Sequence, residues 1–319
     1  MPFSETQGPL PQKVRVYKNH SLNSPAWDDF IPHVDDVIIT TALKAGTTWM
    51  QTIVGNLIFQ DQQMPAPLWQ LTPWLDSRAG TVEKKLRFLD GQTHRRFLKT
   101  HLPLDAMPYF PEVKYIYVGR DGRDVFMSLW NHYRHLKSDI LEWYNEFPAR
   151  ANDPFPPCPN DIHDFFEMWI SKSWFSWEND GFPFWSVFYH FQSWWTYRNL
   201  PNILFIHFND LLKDLDGQMR LIANYLEIEI NETLWPAVVE KATFKVMKAN
   251  AEKVVYGGGG FLIGGAQQFI NKGTNGRWKG VLTKDELDMY EETTAKQLEP
   301  DSRRWLEFGA LTFRANTNF

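Results

Sequence analysis

Thr41-Ala42-Leu43-Lys44-Ala45-Gly46-Thr47-Thr48-Trp49 joins a β-branched run, Val37-Ile38-Ile39-Thr40, to a stretch in which apolar residues recur every four positions. The first run has the composition of a buried strand. In the second, Trp49, Ile53 and Leu57 form one row and Met50, Val54 and Ile58 another, which predicts a helix from about Thr47. A loop of small residues therefore leads from a strand into a helix N-terminus. There the first backbone N–H groups lack partners and the peptide dipoles favour an anion. Lys44 adds a formal charge, and the Thr47 and Thr48 hydroxyls add donors. The arrangement suits a phosphate, but a strand–glycine–helix junction also serves as an ordinary βα turn. It is not a Walker A loop, where lysine directly follows the second glycine; Lys44 precedes the only glycine, Gly46.

Two later strands end on polar residues in the same way. Arg96 to Thr100 is a short strand that delivers Lys99-Thr100-His101-Leu102-Pro103, and Pro103 forces a turn. Ligands of open α/β sheets sit at the C-terminal ends of strands, so His101 and Lys44 can face one crevice. Tyr115-Ile116-Tyr117-Val118-Gly119 is the next strand, followed by Arg120 and a helix capped by Asp121 with Asp124 in its first turn. Arg120 offers a planar fork for phosphate, and Ser128, about two helical turns on, offers a hydroxyl. A plain Arg120–Asp124 pair is the alternative. His132 and His135 lie three apart on that helix without ligands to complete a metal set, and read as solvated or locally bonded.

The 319 residues are 43% hydrophobic and 22% charged, enough for one large α/β domain with an ample core. Net charge is −5, which argues against wrapping nucleic acid. A single cysteine, Cys158, fits a reducing compartment. No apolar run approaches the ~18 residues of a membrane span, and the N-terminus lacks a leader pattern, so a cytoplasmic protein is expected. Residues 1–34 read as an irregular arm, 60–73 and 141–160 as loops, and 161–177 and 184–199 as aromatic helices. Ile203 to Phe208 reads as a strand, with a helix from about Asp210 to Leu226. Aromatic residues crowd between Phe165 and Tyr197 and are read mostly as core. Gly257–Gly260 and Gly264-Gly265 frame Phe261-Leu262-Ile263 as a mobile linker or lid. Thr283 and Glu286 form a capping box before the last long helix. Alternating strands and helices predict a mainly parallel, doubly wound sheet.

Lys44-Ala45-Gly46-Thr47-Thr48-Trp49 resembles the 5′-phosphosulfate loop, Lys-Ser-Gly-Thr-Thr-Trp, of the cytosolic-type sulfotransferases, which use 3′-phosphoadenosine 5′-phosphosulfate (PAPS). The resemblance extends over about residues 35–300, with further segments matching in order. Lys99-Thr100-His101-Leu102-Pro103 resembles the family's catalytic Lys-Thr-His-Leu-Pro. Arg120 and Ser128 match its 3′-phosphate motif. Phe208-Asn209-Asp210-Leu211 stands where the family has Tyr-Glu-Asp-Leu, keeping the adenine-contacting ring without its hydroxyl. Thr243-Phe244 fall in a second adenine stretch. Asn271-Lys272-Gly273 stands for an Arg-Lys-Gly clamp on the 3′-phosphate and lacks its arginine, and Gly276-Arg277-Trp278-Lys279 matches Gly-x-Trp-Lys. The family's dimer motif is only partly present: Lys279 and Thr283 fit, Lys284 and Asp288 do not.

The resemblance implies a P-loop-like α/β/α sandwich and in-line sulfuryl transfer from PAPS to a hydroxyl of a small, apolar or aromatic acceptor, releasing adenosine 3′,5′-bisphosphate without a metal. His101 is the expected general base, because its ordinary pKa lies near neutrality. Lys44 is placed to steady the oxygen bridging sulfur and phosphorus, and Lys99 the sulfuryl oxygens. A P-loop-type small-molecule kinase lacks its Gly-Lys-Ser/Thr order here. A nucleotide-binding protein without turnover is suggested by Asn271 and Phe208 but opposed by the retention of Lys44 and His101.

Overall fold

Val37–Thr41 forms β1, Phe97–Thr100 β2, Lys114–Gly119 β3 and Ile203–His207 β4, in a computed structural model that describes residues 9–60, 62–146 and 153–311. The four strands make one parallel sheet ordered β2-β1-β3-β4. From β1 the chain steps outward to β2, then crosses back to β3 and on to β4. The reversal puts a crevice between the C-terminal ends of β1 and β3. Register makes those ends level: Thr40 pairs with Thr100, Thr41 with Val118 and Gly119 with His207.

Strand residues alternate between two cores, as the two-residue period demands. Ile38, Tyr115 and Tyr117 pack with Phe126, Phe188 and Trp194 on one face. Val37, Ile39, Ile116 and Val118 pack with Met50, Ile53, Met219 and Ile222 on the other. Helices Gly122–Tyr133 and Phe188–Trp195 thus cover one face, and Thr47–Phe59 and Leu215–Tyr225 the other. Covering both faces is what a parallel sheet of near-continuous apolar strands requires. The layering is the P-loop-like α/β/α arrangement expected from the sequence.

Several elements differ from the sequence reading. Residues 141–160 are not loop throughout. Ser138–Asn145 is helical, opened by Ile140 and Leu141 N–H groups that donate to the Lys137 carbonyl. Pro148 lies outside the described residues, and 154–159 is irregular. The helix expected over 161–177 is Ile162–Ser171. Beyond it the chain folds back, so that Gly181 and Phe182 N–H groups take the Trp169 and Lys172 carbonyls at 2.7 and 3.1 Å. The helix expected over 184–199 is only Phe188–Trp195, because the buried Asp180 carboxylate holds the preceding turn by accepting from the Ser186 hydroxyl and Val187 N–H. The single helix expected over 210–226 is two, Phe208–Lys213 and Leu215–Tyr225. They break at Asp214, whose side chain caps the second by accepting from Gly217 N–H at 2.9 Å. Within the arm Ser24–Trp27 is a 3₁₀ turn, anchored by Trp27 Nε1 donating to Asp76 at 3.0 Å. The capping box is present: Thr283 and Glu286 bond reciprocally at the start of Lys284–Gln297. No helix among the described residues is long and apolar enough to cross a membrane.

Candidate active site

Each strand hands its next residues to one cavity of about 480 Å³. Lys44 follows β1, His101 follows β2, Arg120 follows β3 and Phe208 follows β4, and all four line it. The β1 loop is tightly wound. Lys44 has a left-handed backbone (φ 67°) and Gly46 sits at φ 127° as N-cap of Thr47–Phe59. A Cβ at Gly46 would stand 3.0 Å from Phe208 Cδ2, so glycine lets the ring close on the loop. The Thr47 and Thr41 hydroxyls bond at 2.6 Å, fixing the loop to the strand end. Thr47, Thr48 and Trp49 line the cavity, whereas Ala45 is buried and stays out of its wall.

His101 is 3% exposed, and its Nδ1 lies 2.8 Å from the Thr41 carbonyl oxygen. A carbonyl only accepts, so Nδ1 carries the proton and the Nε2 lone pair is left without a partner among the described residues. Burial, and then the charge of Lys99, hold its pKa well below the ordinary histidine value. The ring is therefore neutral at pH 7. Lys99 lines the same cavity with its ammonium 5.0 Å from the Trp74 ring centre, and burial lowers its pKa to about 8. The Lys44 ammonium stands 3.4 Å from the Phe269 ring centre. Burial, then the charges of Arg120, Lys99 and Arg277, pull its pKa to about 7.

Arg120 does not pair with Asp124. Its guanidinium donates to Asn275 Oδ1 (2.9 Å), Thr274 O (3.1 Å) and Lys44 O (3.2 Å), and lies 4.1 Å from the Phe208 ring centre. The Asp124 carboxylate instead accepts from the Gly276 and Arg277 N–H groups, tying that loop to the helix bearing Ser128. Ser128, Phe244, Asn271, Lys272 and Gly273 all reach the cavity. Gly273 (φ 66°) passes so close to Phe244 that a Cβ would stand 2.3 Å from its ring. Thr243 does not join them: its hydroxyl caps Phe244–Ala249, accepting from Val246 N–H and donating to Glu240 O.

The remaining wall is aromatic. Phe184 and Trp185 come from the crowded stretch; Trp169 and Trp194 of that stretch are core. Tyr256, Phe261 and Phe269 come from the glycine-rich segment, which is held to the turn after Gly122–Tyr133 by Lys137 N–H to Phe261 O and Ile263 N–H to His135 O. Sequence reasoning missed two residues here. His135 is locally bonded, as expected, through Nδ1 to Asn131 O at 2.7 Å. His132 is neither solvated nor bonded at Nδ1; it is buried against Phe184, Phe261 and Phe269 and lines the cavity. Its position four residues after Ser128, one turn along the same face, was the available signal. Arg277 is the other, counted only as a variable position in Gly-x-Trp-Lys yet present in the wall.

Residues 34–300 match the sulfotransferase domain family. A glycolipid sulfotransferase of Mycobacterium bovis (strain BCG / Pasteur 1173P2) is 27% identical over 323 residues, covering 95% of this chain and 97% of its own length. The crystal structure of mouse sulfotransferase SULT7A1 complexed with PAP superposes with a TM-score of 0.67 at 21% identity, over 90% of this chain and 94% of its own. Retinol dehydratase in a complex with retinol and PAP superposes at 0.59 and 23% identity, over 88% and 87%. The chain belongs to the sulfotransferase domain family, and the reaction it catalyses is sulfuryl transfer.

Proposed function

We propose that the protein transfers the sulfuryl group of PAPS to a hydroxyl of a small apolar or aromatic acceptor, with His101 as general base. One observation carries this reading: Lys44, His101, Arg120 and Phe208 follow four level strand ends into one cavity lined by cations and aromatic rings. The residues fit the nucleotide, because Gly46 and Gly273 let the Phe208 and Phe244 rings close on the two loops and the cations meet few carboxylates. Bound there, PAPS supplies a sulfuryl group on a phosphosulfate anhydride. His101 Nε2 accepts the acceptor's hydroxyl proton as the new O–S bond forms and the bond to the bridging oxygen breaks. Lys44 balances charge on that bridging oxygen, and Lys99 steadies the sulfuryl oxygens. Arg120, Ser128 and Lys272 hold the 3′-phosphate, and Phe208 and Phe244 flank the adenine. The aromatic wall takes the acceptor's apolar body and keeps water out. The mycobacterial relative's name, glycolipid sulfotransferase, and the retinol bound by retinol dehydratase agree with an apolar alcohol. The protein is expected to act in the cytoplasm.

The test is to supply PAPS with a panel of phenols and apolar alcohols and to follow release of adenosine 3′,5′-bisphosphate. Sulfated product is expected from at least one acceptor. Phosphate transfer from ATP, with none of sulfate from PAPS, would overturn the reading in favour of a kinase.

A further inference from the structure

Arg277 is a charged side chain without a protein counter-ion. It lines the cavity beside Lys44 and Arg120, its Nε is buried without a hydrogen bond, and no ion pair to its guanidinium occurs among the described residues. The carboxylate whose charge reaches it, Asp124, has both oxygens engaged by backbone, one accepting from Gly276 N–H at 2.9 Å and the other from Arg277 N–H at 3.2 Å. Those bonds fix where Arg277 stands. Asp124 lies four residues before Ser128, so the two share a helix face and the 276–277 backbone is held one turn from the Ser128 hydroxyl. Arg120 is tied to the same loop through Thr274 O and Asn275 Oδ1. Like charges gathered in a partly dry cavity repel, and Arg277 lowers the proton affinity of both Lys44 and Arg120. Such a cluster is stabilised when a polyanion enters. Asn271, by contrast, contributes no charge to the wall, and its carbonyl accepts from Lys248 Nζ at 2.6 Å.

We propose that Arg277 binds the 3′-phosphate of the nucleotide, together with Arg120 and Ser128, and supplies the cationic contact that Asn271 does not. This rests on the PAPS reading above. It makes the loop Asn271–Arg277 a clamp whose charge enters at its end, beside the Asp124 anchor.

The test is calorimetric titration of the full chain, wild type and Arg277→Gln, with adenosine 3′,5′-bisphosphate and with adenosine 5′-phosphate. A charge-assisted hydrogen bond is worth about tenfold or more in affinity. Arg277→Gln is expected to weaken the bisphosphate by about that factor and to leave the 5′-monophosphate unchanged. Adding Asn271→Arg to Arg277→Gln should recover most of the loss. A folded Arg277→Gln protein that binds the bisphosphate like wild type overturns the assignment, as does equal weakening of both nucleotides. Failure of the underlying reading is distinct: wild type itself would then not prefer the bisphosphate.

Discussion

His101 Nδ1 donates to the carbonyl of Thr41, the last residue of β1, across 2.8 Å. That bond sets the tautomer, and it is made to backbone, so replacing the imidazole removes no side chain proposed to hold the nucleotide. His101→Ala should therefore leave nucleotide affinity within a few-fold while turnover falls by roughly 10²–10⁴. Calorimetry and a sulfate-transfer assay on the same preparation check this, with circular dichroism for folding. Wild-type turnover in the folded variant would exclude His101 as the base.

Lys44 should behave differently, because in the proposed mechanism it meets the donor before and during transfer. In Lys44→Ala, affinity and turnover should both drop, each by about tenfold or more. A loss confined to turnover would show that the ammonium acts only as charge develops.

Proton uptake tests the charge cluster. With a pKa of about 7, Lys44 is partly neutral at pH 7.5 in the free protein. A bound anion favours the charged form and raises that pKa, so binding takes up part of a proton. Affinity must then fall as pH rises from the free-protein value towards the bound-state one. Titrations at pH 7.5 in buffers of different ionisation enthalpy measure the uptake directly, and Lys44→Met should remove most of it. Zero uptake by wild type would contradict the lowered pKa.

Gly273→Ala tests the clamp sterically. Its φ of 66° disfavours any side chain, and the new methyl would collide with Phe244. Nucleotide affinity should weaken by about tenfold or more while the melting temperature changes little, because the residue lies in a loop. Unchanged affinity would show that Phe244 yields freely.

Stability of the fold rests in part on Arg96 and Asp36, both almost fully buried. Arg96 Nε donates to Asp36 at 2.7 Å and Nη2 donates to Ile31 O at 2.9 Å. Removing one partner strands a buried charge, so Arg96→Ala should cost about 3–5 kcal/mol in urea unfolding. A cost below about 1 kcal/mol would mean that water reaches the stranded carboxylate.

The strand ends were legible because buried β-branched or aromatic runs stop at loops with Gly46, Pro103 or Asp121, each of which has a physical reason to end a strand. Lys44, His101 and Arg120 in one cavity followed from those ends. The acceptor wall was not legible. Phe184 and Phe269 come from segments far apart in sequence, and an aromatic ring looks the same in a list whether it fills a core or lines a cavity. Asp214 escaped for a related reason: an acidic residue inside a helix-like pattern gives no sign that its carboxylate will bond backbone and break the helix. Asp180, between two expected helices, gives no sign that it will hold the turn before the second. Arg277 was missed because a position that varies between relatives was treated as one without a role.

The ring of Phe269 over Lys44 bears on how the site receives its ligand. An ammonium in open water must shed a hydration shell before it can meet an anion, and that shell reorganises again as charge moves. Here an aromatic face already stands in place of part of the shell. An anion entering beside the ring meets an ammonium with part of that shell already replaced, so less solvent has to rearrange as charge moves.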